Sequence, residues 1–157
     1  HACPTVAGAF LMVIHAMDAL YGEEMPVRGG VQVSLSGAVD QGVNGPISQV
    51  FTLLTGATDE NGFHGLAGQF ARDHLMEFHS AADGVFTFTR TDNGQSVQVR
   101  YDASSIMPNP EMAVLMKQAL QPGCDTTVRQ QFSDLWRDRV IRILQDGGQE
   151  TVTVQAV

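Results

Sequence analysis

The strongest constraint on the fold is a run from Pro4 to Tyr21 that has helical periodicity and carries one charged residue, Asp18. Its apolar residues recur every three or four positions, at Val6, Phe10, Ile14, Met17 and Tyr21. Pro4 suits the first turn of a helix, and Gly22 suits the residue after its end. The pattern predicts a helix over 4–21 that docks this stripe on the rest of the fold.

The opposite side of this helix is also uncharged, with Leu11, Met12, His15 and Ala19. A helix that is apolar on two sides needs a cover on both. We expect a second copy of the chain to supply one cover, in a symmetric homodimer. The alternative is that a C-terminal helix containing Trp136 covers this side within one chain.

The remaining patterns predict an α+β domain. Apolar and polar residues alternate over 31–39 and again over 85–101, where Asn93-Gly94 predicts a two-residue hairpin turn. The predicted order is a helix (4–21), a strand (31–39), a helix (44–56), a strand within 69–78, the hairpin (85–101), two helices (108–120 and 126–145) and a last strand (150–157). The length of 157 residues fits a single domain over 1–157.

Composition excludes several classes of partner. Nine basic residues against 17 acidic ones, with Lys117 as the single lysine, leave no basic stripe for nucleic acid. The longest uninterrupted apolar stretch, Val6–Ile14, is shorter than the roughly 20 residues that cross a bilayer, so we expect a soluble protein with no membrane partner. Cys3 and Cys124 are too few for a disulfide framework, which favours a cytoplasmic location.

The chain opens with a His-x-Cys-Pro tetrad, His1 to Pro4. A cysteine in the first turn of a helix meets unpaired N–H groups and the positive end of the helix dipole, which favour the thiolate. Mixed nitrogen and sulfur donors suit zinc first, and also nickel, iron or copper. The alternative is a plain buried cysteine. His64, in the glycine-rich segment GATDENGFHGLAG, is the best third ligand, and Asp40 comes after it.

Three stretches of the chain resemble, in the same order, the FmdE-like family, which takes its name from one of the subunits of molybdenum formylmethanofuran dehydrogenase. They are HACP, GVQVSLSGAVDQGVNGPISQVFTLLTGATDENGFHGLAGQF and FTFTRTDNGQSVQV. The resemblance implies a helix, a strand, a helix and three strands in a mixed sheet, and a metal held by His1 and Cys3. Asn44 and Ala57 lie where family members from methanogens have further cysteines, so the formylmethanofuran reaction is not implied.

Three functions are compatible with these residues. The first is a metalloprotein whose open metal positions take water or a small-molecule substrate for hydrolytic or redox chemistry. The second is a non-catalytic accessory protein that carries a metal or cofactor for a partner enzyme. The third is haem binding through the Cys-Pro thiolate or a histidine, with Phe63, His64, Leu66 and Phe70 forming the cofactor pocket.

Overall fold

The computed structural model describes residues 2–79, 82 and 84–157. Within them the elements follow the predicted α+β order: α1 (Pro4–Tyr21), β1 (Val31–Leu35), α2 (Asn44–Thr55), β2 (Met76–Glu77), β3 (Phe86–Arg90), β4 (Ser96–Tyr101), α3 (Met112–Ala119), α4 (Thr126–Asp146) and β5 (Val152–Ala156). α1 and α2 each end at the predicted glycine: the N–H of Gly22 donates to the carbonyl of Asp18, and that of Gly56 to the carbonyl of Thr52.

The strands form one mixed sheet in the order β2-β1-β3-β4-β5. β1 pairs in parallel with β2, at Val33 and Met76, and all other neighbours are antiparallel. Alternate residues of β1 are fully buried, and Phe51 of α2 meets the rings of Phe86 and Phe88 edge-on above β3. The helices α1 and α2 therefore cover one face of the sheet and enclose the main core.

Three predictions about the strands need correction. The first strand, predicted over 31–39, ends at Leu35, because the residues after it form a turn in which the N–H of Gln41 donates to the carbonyl of Ala38. The strand expected within 69–78 is only Met76–Glu77, because the residues before it bond within their own loop, as in the reciprocal bonds of Leu66 and Gln69. The connection of the β3–β4 hairpin is also longer than two residues. The N–H of Gly94 donates to the carbonyl of Arg90, and Gly94 has φ +75°, as in a longer loop that ends on a left-handed glycine.

The predicted stripe of α1 is buried only towards its C-terminal end, where Tyr21 lies in the main core and Met17 packs partly against it. The other residues of α1 in this core belong to a neighbouring side, at Ala9, Met12, Val13, Ala16 and Leu20. Leu11 packs instead with Val140 and Ile143 of α4. Phe10 and Ile14, which the periodicity predicts to dock, are exposed. The small side chains on the buried side let α1 approach the sheet closely, and α4 covers the adjoining side.

The surface predicted for the homodimer is consequently wrong. Leu11 and Met12 are buried within the chain, and the half-buried His15 donates from Nε2 to the carbonyl of Gly147 at 2.6 Å. Of the four residues only Ala19 is exposed. The alternative is confirmed for Leu11, which packs against the helix that contains Trp136, whereas Met12 lies in the main core.

By length and composition alone, α1 is apolar enough to cross a membrane. In the structure 50% of it is buried inside the fold. The core helix of a soluble protein passes the same test, so this one helix is compatible with a soluble protein.

Candidate functional site

Cys3 is the residue that caps the N-terminus of α1. Its backbone is extended, Pro4 follows in the first helical position, and its Sγ accepts a hydrogen bond from the N–H of Val6 at 3.4 Å. The side chain is half-buried and forms no disulfide. The sulfur thus lies at the N-terminal end of α1, beside the first N–H groups of the helix.

Two side chains from distant elements hold the backbone on either side of Cys3. Trp136 of α4 donates from Nε1 to the carbonyl of Ala2 at 3.1 Å, and Tyr101 of β4 donates from its hydroxyl to the carbonyl of Pro4 at 3.0 Å. Burial raises the pKa of Tyr101 to about 12, so the phenol is a neutral donor at physiological pH. His1 lies outside the described residues.

His64 forms a close pair with Asp73 in the loop between α2 and β2. Its Nδ1 lies 2.5 Å from Oδ2 of Asp73, and Nε2 of His74 lies 3.8 Å from the same oxygen. The side chain of His64 is 78% exposed, whereas that of Asp73 is 12% exposed. The hydrogen bond from His64 is the main reason that the pKa of Asp73 lies below its ordinary value of 3.8, and burial opposes it. An ionised carboxylate only accepts, so in a neutral His64 ring Nδ1 donates and Nε2 is the accepting nitrogen.

The loop around this pair has a strained backbone. Within the described part of the chain, the non-glycine residues with positive φ are Ala67, Phe70, His74 and His79. The loop is closed by bonds to Arg72, whose N–H donates to the carbonyl of Phe63 and whose carbonyl accepts from the N–H of Thr58. Strained backbone of this kind is concentrated at functional sites. The glycine-rich segment contains no helix and no strand of the sheet, and Leu66 forms an isolated bridge with Gln69 beside it.

Cys3 and His64 lie at opposite ends of the sheet. The head of α1, which is its N-terminal end, accepts a hydrogen bond at Pro4 from Tyr101, the last residue of β4. The pairings β1–β3 and β3–β4 are both antiparallel, so β4 runs in the same direction as β1. The head of α1 therefore lies at the end of the sheet where β1 ends. The loop that contains His64 starts at the end of α2, where the carbonyl of Thr55 accepts from the N–H of Gly29 just before β1 begins. The structure therefore does not bring His64 to Cys3.

The other candidate ligands do not complete a site either. Asp40 is exposed in the turn that follows β1, at the same end of the sheet as Cys3. Across the ranges 2–79, 82 and 84–157, no three His, Cys, Asp or Glu side chains are grouped to hold a metal ion. Any metal at the head of α1 thus takes its remaining ligands from His1, from water or from another molecule.

The apolar residues expected to line a haem pocket do not enclose one. Phe63, Leu66 and Phe70 are all more than half exposed on the loop. The cleft beside β2 has a volume of 370 Å³ and a polar lining that includes Asp59, His74 and Glu77. This polar lining differs from the apolar lining expected around a haem ring.

Asp73 is the residue that sequence reasoning missed. It lies nine positions after His64, with no periodic pattern to link the two. The available signal was composition, because three histidines and this aspartate lie within 64–79, after a glycine-rich stretch.

No family model and no curated protein matches the sequence. Function is therefore inferred from the side chains at the two ends of the sheet.

Proposed function

We propose that this chain is a small transition-metal-binding protein in which Cys3, together with His1, holds the metal at the head of α1. The observation that supports the proposal is the position of the Cys3 sulfur, which caps the helix and accepts the N–H of Val6 at 3.4 Å. A cysteine sulfur in this position is a donor that a transition metal can bind. The same residues carry the resemblance to the FmdE-like family, and a nitrogen and sulfur donor pair suits zinc first and nickel, iron or copper next.

The anchoring of the segment supports the same proposal. The bonds from Trp136 to Ala2 and from Tyr101 to Pro4 hold the peptide groups on both sides of Cys3. Ligands fixed before the metal arrives lose less conformational entropy on binding, which raises affinity.

A site with two ligands from the chain leaves positions open for water or a small-molecule substrate. If zinc were held there by Cys3 and His1, it would supply the activation of water that hydrolytic chemistry needs. Redox chemistry would follow with iron or copper. The alternative is a non-catalytic accessory protein that carries the metal for a partner enzyme.

Free Cys3 and Cys124 support a reducing compartment, and we place the protein in the cytoplasm.

His64 belongs to a separate group at the other end of the sheet. Histidines that ligate metals commonly donate their second ring N–H to a carboxylate, as His64 does to Asp73. Its side chain is 78% exposed, and it lies at the end of the sheet away from Cys3. We therefore keep His64 as a metal or cofactor contact independent of the head of α1. Haem binding is the function that this loop supports least, because Phe63 and Phe70 are exposed.

The experiment is elemental analysis of untagged protein, comparing Cys3→Ser with Cys124→Ser. Cys124 is the matched control, since it is also a free, half-buried thiol but its Sγ bonds to the carbonyl of Asp125. We expect Cys124→Ser to keep its metal and Cys3→Ser to lose most of it. Full metal content in Cys3→Ser would refute the proposal.

Two spectroscopic measurements separate the remaining alternatives. Cobalt-substituted protein should show a thiolate-to-cobalt charge-transfer band that Cys3→Ser lacks and that His64→Ala retains. Loss of the band in His64→Ala would mean that the two ends of the sheet share one metal, against the separation described above. A Soret band on the purified protein would establish haem binding instead.

A further inference from the structure

A pocket of 450 Å³ lies between α4, α3 and the segment that leads into α3. The side chains that line it include Met107, Pro108, Met112, Met116, Trp136 and Arg139. We call it the α3–α4 pocket. Small-molecule sites in proteins commonly have volumes of about 300–1,000 Å³, and their linings are mostly apolar with a few polar groups.

Most of the lining is apolar and adaptable. Three of its residues are methionines, of which Met112 is 6% exposed, Met116 37% and Met107 72%. Methionine side chains are unbranched and flexible, and their sulfur makes favourable contacts with aromatic rings. The indole of Trp136 adds an aromatic surface that is fixed by its bond to the carbonyl of Ala2. The pocket therefore suits a ligand with an apolar body, and an aromatic ring in particular.

Arg139 is the single charged residue among the described residues that line the pocket. It is half-buried, and its Nε donates to the carbonyl of Ile106 at 3.2 Å. Burial raises the pKa of Tyr101, the charge of Arg139 opposes the rise, and two aspartates add to it, Asp102 and Asp146. Neither these aspartates nor any other carboxylate in the described part of the chain forms an ion pair with Arg139.

The other charged side chains of this region are engaged elsewhere. Arg142, one turn further along α4, donates from Nε to Oδ2 of Asp138 at 2.9 Å. Glu111, just before α3, lines a separate cleft together with Asp134 of α4. Arg139 therefore provides the charge that a ligand in this pocket would meet.

Among anions, a carboxylate fits this arrangement best. A guanidinium has five N–H groups, and the bond to Ile106 uses one of them, so Nη1 and Nη2 can donate in parallel to both oxygens of a carboxylate. A phosphate would bring further charged oxygens among methionine and proline side chains, which offer no hydrogen-bond donors. A cationic or wholly apolar ligand would leave the half-buried guanidinium without a counter-charge.

We propose that the α3–α4 pocket binds a small organic carboxylate. Its carboxyl group pairs with Arg139, and its apolar body, an aromatic ring, lies against the methionines and Trp136. The pocket and the Cys3 segment share Trp136, but this ligand needs no metal. The two proposals therefore fail independently.

The probe is 3-phenylpropionate, and 3-phenylpropanamide is its neutral counterpart with the same ring and chain. Trp136 is the single tryptophan, so its indole N–H gives one resonance in a nitrogen–proton correlation spectrum, and this resonance reports on the pocket. With EDTA present, 3-phenylpropionate should shift the resonance saturably. The amide should bind about ten-fold more weakly, because hydrogen bonds to charged groups contribute more than those between neutral groups.

The variants assign the preference for the carboxylate to one residue. Arg139→Gln should bind both probes equally, since the charge is gone. Arg142→Gln is the matched control and should keep the preference, because Arg142 also donates to a carbonyl of the same segment, that of Met107, but is paired with Asp138. The preference is a ratio of affinities measured within one variant, so a change in stability does not imitate it.

Four results would overturn the proposal. Two need no variant, so the proposal stays testable even if Arg139→Gln fails to fold: no saturable shift with millimolar 3-phenylpropionate, or equal binding of the two probes to wild type. The third is an unchanged preference for the carboxylate in Arg139→Gln. The fourth is loss of 3-phenylpropionate binding in Cys3→Ser, which should bind as wild type does, because the carboxylate would then belong to the Cys3 segment.

Discussion

Nδ1 of His64 lies 2.5 Å from Oδ2 of Asp73, and this contact joins the middle of an exposed loop to the residue that leads into β2. The carboxylate is the less exposed of the two groups, so the exposed imidazole is held by the part of the loop that is packed against the fold. The pair fixes which ring nitrogen faces solvent. It also makes the stability of this loop dependent on the ionisation of Asp73.

The first prediction is a pH-dependent loss of stability in Asp73→Asn. Because the hydrogen bond from His64 holds the pKa of Asp73 below 3.8 in the folded state, ionised Asp73 stabilises the fold above that pH. The contribution is lost as the pH falls through the folded pKa. The melting temperature of Asp73→Asn should therefore be lower than that of wild type near neutral pH, and the difference should shrink steadily below about pH 4.

The control for this prediction is Asp40→Asn, which changes an exposed aspartate in the turn after β1. Its effect on melting temperature should be small near neutral pH. His64→Ala should reproduce the pH dependence of Asp73→Asn, because either change breaks the same bond. A difference between wild type and Asp73→Asn that stays constant down to acid pH would contradict this account of Asp73.

The second prediction uses Trp136, the single tryptophan of the chain, as a reporter of metal binding. Its indole donates to the carbonyl of Ala2, next to Cys3, so copper or cobalt bound at Cys3 should quench its fluorescence. Titration of wild type should give saturable quenching. Cys3→Ser should remove it, and His64→Ala should not. Quenching of equal size in Cys3→Ser would place the metal at another group near the indole.

The third prediction concerns Gly8, which lies against the ring of Tyr101. A Cβ added at Gly8 would overlap the carbons of this ring, so the ring or the helix would have to move. Gly8→Ala should destabilise the protein by about 1–3 kcal/mol, although alanine in place of glycine inside a helix ordinarily stabilises by about 0.5–1 kcal/mol. Chemical denaturation measures the difference.

A double-mutant cycle isolates the cause. In a Tyr101→Ala background the ring is absent, and Gly8→Ala should become neutral or stabilising. If Gly8→Ala is equally destabilising with and without the ring, the close approach is not what requires glycine at this position. Tyr101→Phe keeps the ring and removes the hydrogen bond to Pro4, so it separates packing from the anchoring of the Cys3 segment.

Local signals predicted much of the fold. Pro4 and Gly22 mark the ends of α1, and Gly56 marks the end of α2, because the conformations of proline and glycine act within one or two residues. The position of Cys3 at the start of a helix followed from the same signals. The short β2 was harder, because a two-residue strand leaves almost no periodic pattern and is made by its pairing with β1.

The sequence by itself determined the element order, the ends of α1 and α2 and the location of Cys3 at a helix N-terminus, since each depends on neighbours along the chain. It did not determine the start of α3, because the helix predicted from residue 108 begins at Met112. Only the tertiary structure decided which side of α1 is buried. Apolar residues on every side make the periodicity ambiguous, and Ala9 and Ala16 select the buried side by letting the sheet come close. Tertiary structure also decided that His64 pairs with Asp73 and lies away from Cys3, because loop residues take their positions from the elements that the loop connects.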